Sequence, residues 1–255
     1  MIYKHKRIYI SSPLRFVTPL RFVTPHSFRM IHIEYLLPII AFWHTITAEV
    51  RKYKEHPGLA NNMVSAIHCS LYLLQYQYNH DDKPAMNYTV HVSIGYFIYD
   101  LIYILRTIYI ARVNRQPPPQ NHVVYVFHHI IGLYLLNDTL TSIYSDSILH
   151  AYYFAEISNL TLYTSYHLRK EYPNHKTITV VFDVFQLFWY SYFRIFKVSR
   201  LLYDNASQFY DYTLVGQASL MILHIMGILW TCALIKKNIA NIANLKNYNS
   251  KNIQE

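Results

Sequence analysis

VVYVFHHIIGLYLL, residues Val123 to Leu136, is the stretch whose reading decides the fold. It contains no Asp, Glu, Lys or Arg and carries two adjacent histidines, His128 and His129, at its centre. The pattern predicts a helix with a hydrocarbon-like surface. Neighbouring helix positions project about 100° apart, so the two rings cannot both face lipid or both face one partner. An imidazole in such surroundings needs a hydrogen-bond partner, which must come from other segments. The expectation is an all-α, polytopic transmembrane helical bundle of about six or seven spans around a polar cavity.

Composition agrees with that reading. Charged residues make up only 15% of the 255 residues, against about 25% in ordinary soluble domains. A mean hydropathy of +0.07 argues the other way, but the scale penalises Tyr and His, of which the chain has 26 and 15. Tyr belongs at bilayer interfaces and between packed helices. The +9 net charge lies between apolar runs with no basic and aromatic interleaving on one face, so no nucleic-acid partner is expected. Cys69 and Cys232 both sit inside apolar runs, which indicates neither a disulfide framework nor a metal site.

Outward from the central stretch, the apolar runs are Ile31 to Glu49, Met63 to Tyr78, Val90 to Ile110, His122 to Leu136, Ile148 to Leu168, Ile178 to Phe196 and Leu214 to Ile235. Residues 1–30 form a basic leader with the hexapeptide PLRFVT repeated at Pro13 and Pro19, whose prolines forbid a continuous helix. Residues 31–60 hold the first run and a basic loop; the polar stretch 238–255 reads as a disordered tail.

The loops alternate in charge. Arg51, Lys52 and Lys54 follow the first run, Asp81 and Asp82 the second, Arg112 and Arg115 the third, Asp138 and Asp146 the fourth, Arg169 and Lys170 the fifth, Asp204 and Asp211 the sixth, and Lys236 and Lys237 the seventh. The positive-inside bias places the basic loops in the cytosol and the N-terminus outside, an assignment that the basic leader opposes. Glycosylation triplets at Asn87, Asn137 and Asn205 fall in predicted outer loops, and a fourth at Asn159 falls within a run.

Ionisable groups inside the runs are functional candidates by default. Ser65 and His68 share a helix face, as do Tyr96 and Asp100; Glu156 and Ser158 lie midway in the fifth run, and Asp183 and Arg194 in the sixth. Taken singly, each reads first as a structural hydrogen-bonding group, lone His224 above all, and Arg194, near a helix end, also fits a side chain snorkelling to the headgroups. As functional candidates, Ser65, His68, Tyr96, Asp100, Ser158 and Arg194 make up the polar set of a lipid cavity. Taken together, Ser65, His68, Asp100, His128, His129 and Glu156 come from four runs at similar depth, as an enclosed polar cavity requires.

Five pieces, on successive runs, carry a resemblance: NNMVSAIHC at Asn61 to Cys69, GYFIYD at Gly95 to Asp100, FHHIIG at Phe127 to Gly132, AEIS at Ala155 to Ser158 and YFRIF at Tyr192 to Phe196. Over residues 61–237 the chain resembles the TLC-domain membrane proteins, named for translocation-associated, Lag1-type and CLN8-type members. The resemblance implies an integral protein of the endoplasmic reticulum whose partners are membrane lipids. The family includes ceramide synthases, which join an acyl group from acyl-CoA to a sphingoid amine with an adjacent His pair and a later His-Asp. His128 and His129 match the first pair, but the later pair falls on Ala155 and Glu156. This form looks like the branch concerned with lipid composition, sensing or trafficking.

The leading expectation is therefore lipid handling without catalysis and without a cofactor. One alternative is an acyltransferase in which His128 or His129 acts as base or acyl acceptor, Glu156 orients it, and acyl-CoA is the substrate. A second alternative is a transporter or proton relay, because buried His, Asp and Glu also build relays.

Overall fold

The computed structural model describes residues 33–54, 57–117, 122–140, 145–206 and 212–252. The leader at 1–30 and the last three residues lie outside them. The apolar runs are helical wherever the described residues cover them: α1 (Ile33–Tyr53), α2 (Pro57–Asn79), α3 (Lys83–Val113), α4 (His122–Thr139), α5 (Ser145–Glu171) and α6 (Lys176–Ser191), then a π-helical turn (Tyr192–Lys197) leading directly into α7 (Val198–Asp204), and finally α8 (Leu214–Asn252). With α6, the π turn and α7 forming one rod, the described residues make seven rods and are all-α in class.

Most rods outrun their apolar stretches because polar residues cap and extend them. Asp82 starts α3 by accepting from the Ala85 amide at 3.3 Å, with Pro84 in the first turn. Asn87 and Asn137 consequently lie within α3 and α4 and not in loops, whereas Asn205 directly follows α7. In the stretch expected as a tail, α8 continues helically to Asn252. Its polar beginning is pinned by side chains: Asn238 Nδ2 donates to the Asp183 carbonyl at 3.2 Å, and Asn241 Nδ2 to Asp183 Oδ2 at 2.8 Å.

The packing order closes a ring, α2 to α3 to α4 to α8 to α6 to α5 and back to α2, with α1 laid outside against α2 and α3. Aromatic donors fasten neighbours through helix carbonyls. Trp43 Nε1 donates to Val92 O at 3.2 Å, Tyr72 Oη to Leu149 O at 3.2 Å, and Trp189 Nε1 to Ile157 O at 2.9 Å. Such side-chain bonds are the glue available where lipid competes with every apolar contact. A Cβ on Gly132 would lie 2.5 Å from Phe97 Cε1, so only glycine lets α3 and α4 come this close.

The surface is greasy. Ile102, Leu105 and Tyr109 on α3, Phe127 on α4, Phe188 on α6 and Leu229 on α8 are all exposed. Two helices, Lys83–Val113 and Leu214–Leu245, are long and apolar enough to cross a bilayer.

Charged helix ends meet. Lys54 beyond α1 pairs with Glu171 at the end of α5. Close by, the fully buried Asp183 is bound by Arg169 from α5, by Lys237 from α8 at 3.1 Å and by Ser165 at 2.6 Å. Asp183 and Arg194 share a rod, but the carboxylate is committed to this knot, and Arg194 serves elsewhere.

Candidate functional site

The two central histidines have different environments. His129 Nδ1 lies 2.7 Å from the Tyr125 carbonyl, which can only accept, so Nδ1 carries a proton. His129 Nε2 is 2.8 Å from Asp100 Oδ2, and a second proton lies between them. Both ring nitrogens are thus engaged, one by its own helix and one by α3. The His128 ring stands nearly perpendicular to it, at 88° with centroids 5.6 Å apart. Its Nδ1 is buried and has no hydrogen-bond partner.

His128 lines a cavity enclosed by α3, α4, α5, the π turn, α7 and α8. Most of the wall is apolar, with Leu135, Leu136, Ile148 and Leu220 among its residues; the polar side chains are His128, Tyr152, Glu156, Arg194 and His224. Glu156 and Arg194 are only 5% and 6% exposed. Among the described residues no ion pair joins them. Arg194 Nη2 reaches Asn159 Oδ1 at 3.5 Å and the guanidinium lies 5.8 Å from the Tyr190 ring centre, while Nε is buried with no partner.

The π turn is what delivers Arg194. One extra residue per turn shifts the side-chain register, and such turns recur where a helix must aim a residue into a site. The sequence leaves Arg194 either in the cavity's polar set or snorkelling to the headgroups; the structure seats it inward, its Cγ against Gly227 of α8. His224 is likewise more than a lone structural group. Its Nε2 is 3.1 Å from Ser199 Oγ, and its unpartnered Nδ1 belongs to a ring that lines the cavity. Nothing in its flanking sequence marked it, because only the packing of α8 against α4 and the π turn brings it in.

The remaining expected residues lie nearby in separate arrangements. Tyr96 Oη donates to Ser65 Oγ at 2.8 Å, and Ser65 Oγ donates to Asn61 O at 3.0 Å. His68 stacks on Tyr96 at 3.9 Å with Nε2 3.2 Å from Ser93 Oγ, and Trp43 packs edge-on against both rings. Phe97 separates this aromatic cluster from the cavity, with its ring 6.1 Å from His68 and 5.0 Å from His129. Ser158 bonds back to Ala155 O of its own helix at 2.6 Å. The single polar hollow expected from sequence is therefore three neighbouring arrangements: the cavity, the His129–Asp100 clamp beside it, and the aromatic cluster. Among the described residues no group of three or more His, Cys, Asp or Glu converges where a metal ion could bind.

A family model described as the TLC domain, of the TRAM, LAG1 and CLN8 proteins, matches residues 56–236. The chain belongs to the TLC-domain family. Neither a curated protein nor a solved structure matches it. The TLC domain thus spans α2 to the start of the polar half of α8 and contains the whole cavity, while α1 stands outside it. Family membership and the two long apolar helices make this a membrane protein of a lipid-related family.

Proposed function

We propose that this TLC-domain protein is a multi-pass lipid-handling protein of the endoplasmic reticulum, with its basic helix ends in the cytosol and the polar end of a membrane lipid held in its cavity. One observation carries the reading. Arg194 and Glu156, opposite in charge and almost wholly buried, face one apolar-walled cavity without pairing to each other. Buried charges are tolerated where they serve a ligand, and an apolar wall with a few converging polar groups suits an amphiphile. His128, with its free nitrogen, is the member of the pair able to bond that ligand; His129 is fixed in place. A photoactivatable lipid added to the purified protein should label peptides of α4 and α8 that line the cavity, and His128→Ala should reduce that labelling. Labelling confined to the exposed faces of α3 and α6 would overturn the reading.

A second reading, acyl transfer from acyl-CoA, gains support from His224. Ala155 lines the cavity where the family's later histidine stands, and His224 offers an imidazole to the same space from another helix. In this reading His128 takes the proton of an attacking amine, while Glu156 and His224 orient the groups. Release of free CoA by the purified protein, abolished by His128→Ala, would establish it; no release from acyl-CoA and amine together would exclude it.

A further inference from the structure

The cavity also constrains the charge pattern of its occupant. A guanidinium and a carboxylate buried in one low-dielectric space attract strongly, and they ordinarily collapse into an ion pair unless the fold holds them apart. Here both are held. The π turn and the contact of Arg194 Cγ with Gly227 fix the base of the arginine, and Asn159 Oδ1 takes one of its terminal nitrogens. Cys69 Sγ donates to the Glu156 carbonyl at 2.9 Å, and the Cys69, Tyr152 and Asn159 side chains lie against its carboxyl. Arg194 Nε remains without a partner although only 6% of the residue is exposed. An unsatisfied donor on a buried charge costs more than an ordinary hydrogen bond returns, so the arrangement is complete only with an acceptor placed against it.

We infer that the cavity selects a zwitterionic headgroup, its anionic oxygens on Arg194 and its ammonium on Glu156. This rests on the reading of the cavity as a lipid headgroup site. An anionic headgroup alone satisfies Arg194 and leaves Glu156 facing a like charge. A simple amine satisfies Glu156 and leaves Arg194 Nε without an acceptor. Only a head with both charges neutralises the two residues, and His128 Nδ1 adds a neutral hydrogen-bonding position on the same wall. The apolar remainder of the cavity, including Leu135, Leu136 and Leu220, suits the adjoining hydrocarbon.

The test uses the full-length chain in detergent and three probes read by native mass spectrometry: phosphatidylethanolamine, phosphatidic acid with the same acyl chains, and a long-chain primary amine. The wild-type protein should retain phosphatidylethanolamine about tenfold better than either other probe, the margin of one charge-assisted hydrogen bond. Glu156→Gln should erase the margin over phosphatidic acid while keeping that over the amine. Arg194→Gln should do the reverse, and Arg194→Lys, which keeps the charge, should restore part of what Arg194→Gln loses. Equal retention of all three probes by the wild-type chain overturns the zwitterion assignment without any variant, and leaves the lipid site standing. Retention of none by a monodisperse wild-type preparation overturns the lipid reading itself.

Discussion

His129 Nε2 lies 2.8 Å from Asp100 Oδ2 while its Nδ1 donates to the Tyr125 carbonyl, so the ring is held by two helices and has no nitrogen left for a ligand. The adjacent His128 has the opposite character, with a buried and unpartnered Nδ1 beside the cavity. Removing one ring should therefore damage structure, and removing the other should damage function.

Asp100→Ala leaves the His129 ring with one bond in place of two. The expected loss is about 2 kcal/mol, which in a chain of this size lowers Tm by roughly 4–8 °C. His129→Ala should cost a similar amount and His128→Ala clearly less. Thermal unfolding of the three variants in detergent checks the order; a Tm for Asp100→Ala equal to the wild type contradicts the clamp.

Asp183 is fully buried and bound by Arg169, Lys237, Ser165 and Asn241. Asp183→Ala strands two cations beside each other and should cost about 3–5 kcal/mol. Because Asp183 lies outside the cavity wall, folded protein should still bind lipid. Denaturant titration with a parallel lipid-retention assay separates the two effects, and normal stability combined with lost lipid would refute this division of roles.

The Lys54 ammonium beside Glu171 holds that carboxyl below the usual glutamate range. The folded state thus favours the ionised form. Its contribution is complete above the unfolded value of about 4.3 and disappears as pH falls through the lower folded value. Stability measured from pH 6 down to 3 should show a small acid-side loss that Glu171→Gln lacks. The pair is partly exposed, so the effect should shrink in high salt; identical acid profiles for the two proteins contradict it.

Gly227 backs Arg194: a Cβ there would stand 2.8 Å from Arg194 Cγ. Gly227→Ala should push the arginine out of register and weaken lipid labelling of the cavity several-fold, with helical content by circular dichroism unchanged. Full labelling would show that the position of Arg194 does not matter.

Much of this was legible in the sequence, and what was not has physical causes. Apolar runs located the rods because burial and lipid contact both demand continuous apolar stretches. The pairing of Ser65 with Tyr96, and of His68 with the same ring, follows runs whose faces could be read at i, i+3 and i+4. Arg194 stands among the candidate cavity residues from sequence, but YFRIFK gives no local sign that the helix widens to a π turn there, so the sequence alone leaves snorkelling open. His224 was hidden for a different reason, since its role depends on which helix lies opposite. The Asn-rich stretch from Asn238 carries no apolar pattern, so its helix is not visible in sequence; Asp183 supplies partners for Asn238 and Asn241 only once α6 and α8 are packed.

The most direct measurement of the central claim is the lipid carried by protein purified through size-exclusion chromatography, quantified by mass spectrometry for the wild type, His128→Ala and Asp183→Asn. A lipid that persists in the wild type and in folded Asp183→Asn but is depleted in His128→Ala is the predicted result. A wild-type chain free of lipid, or equal lipid in all three, would contradict the account.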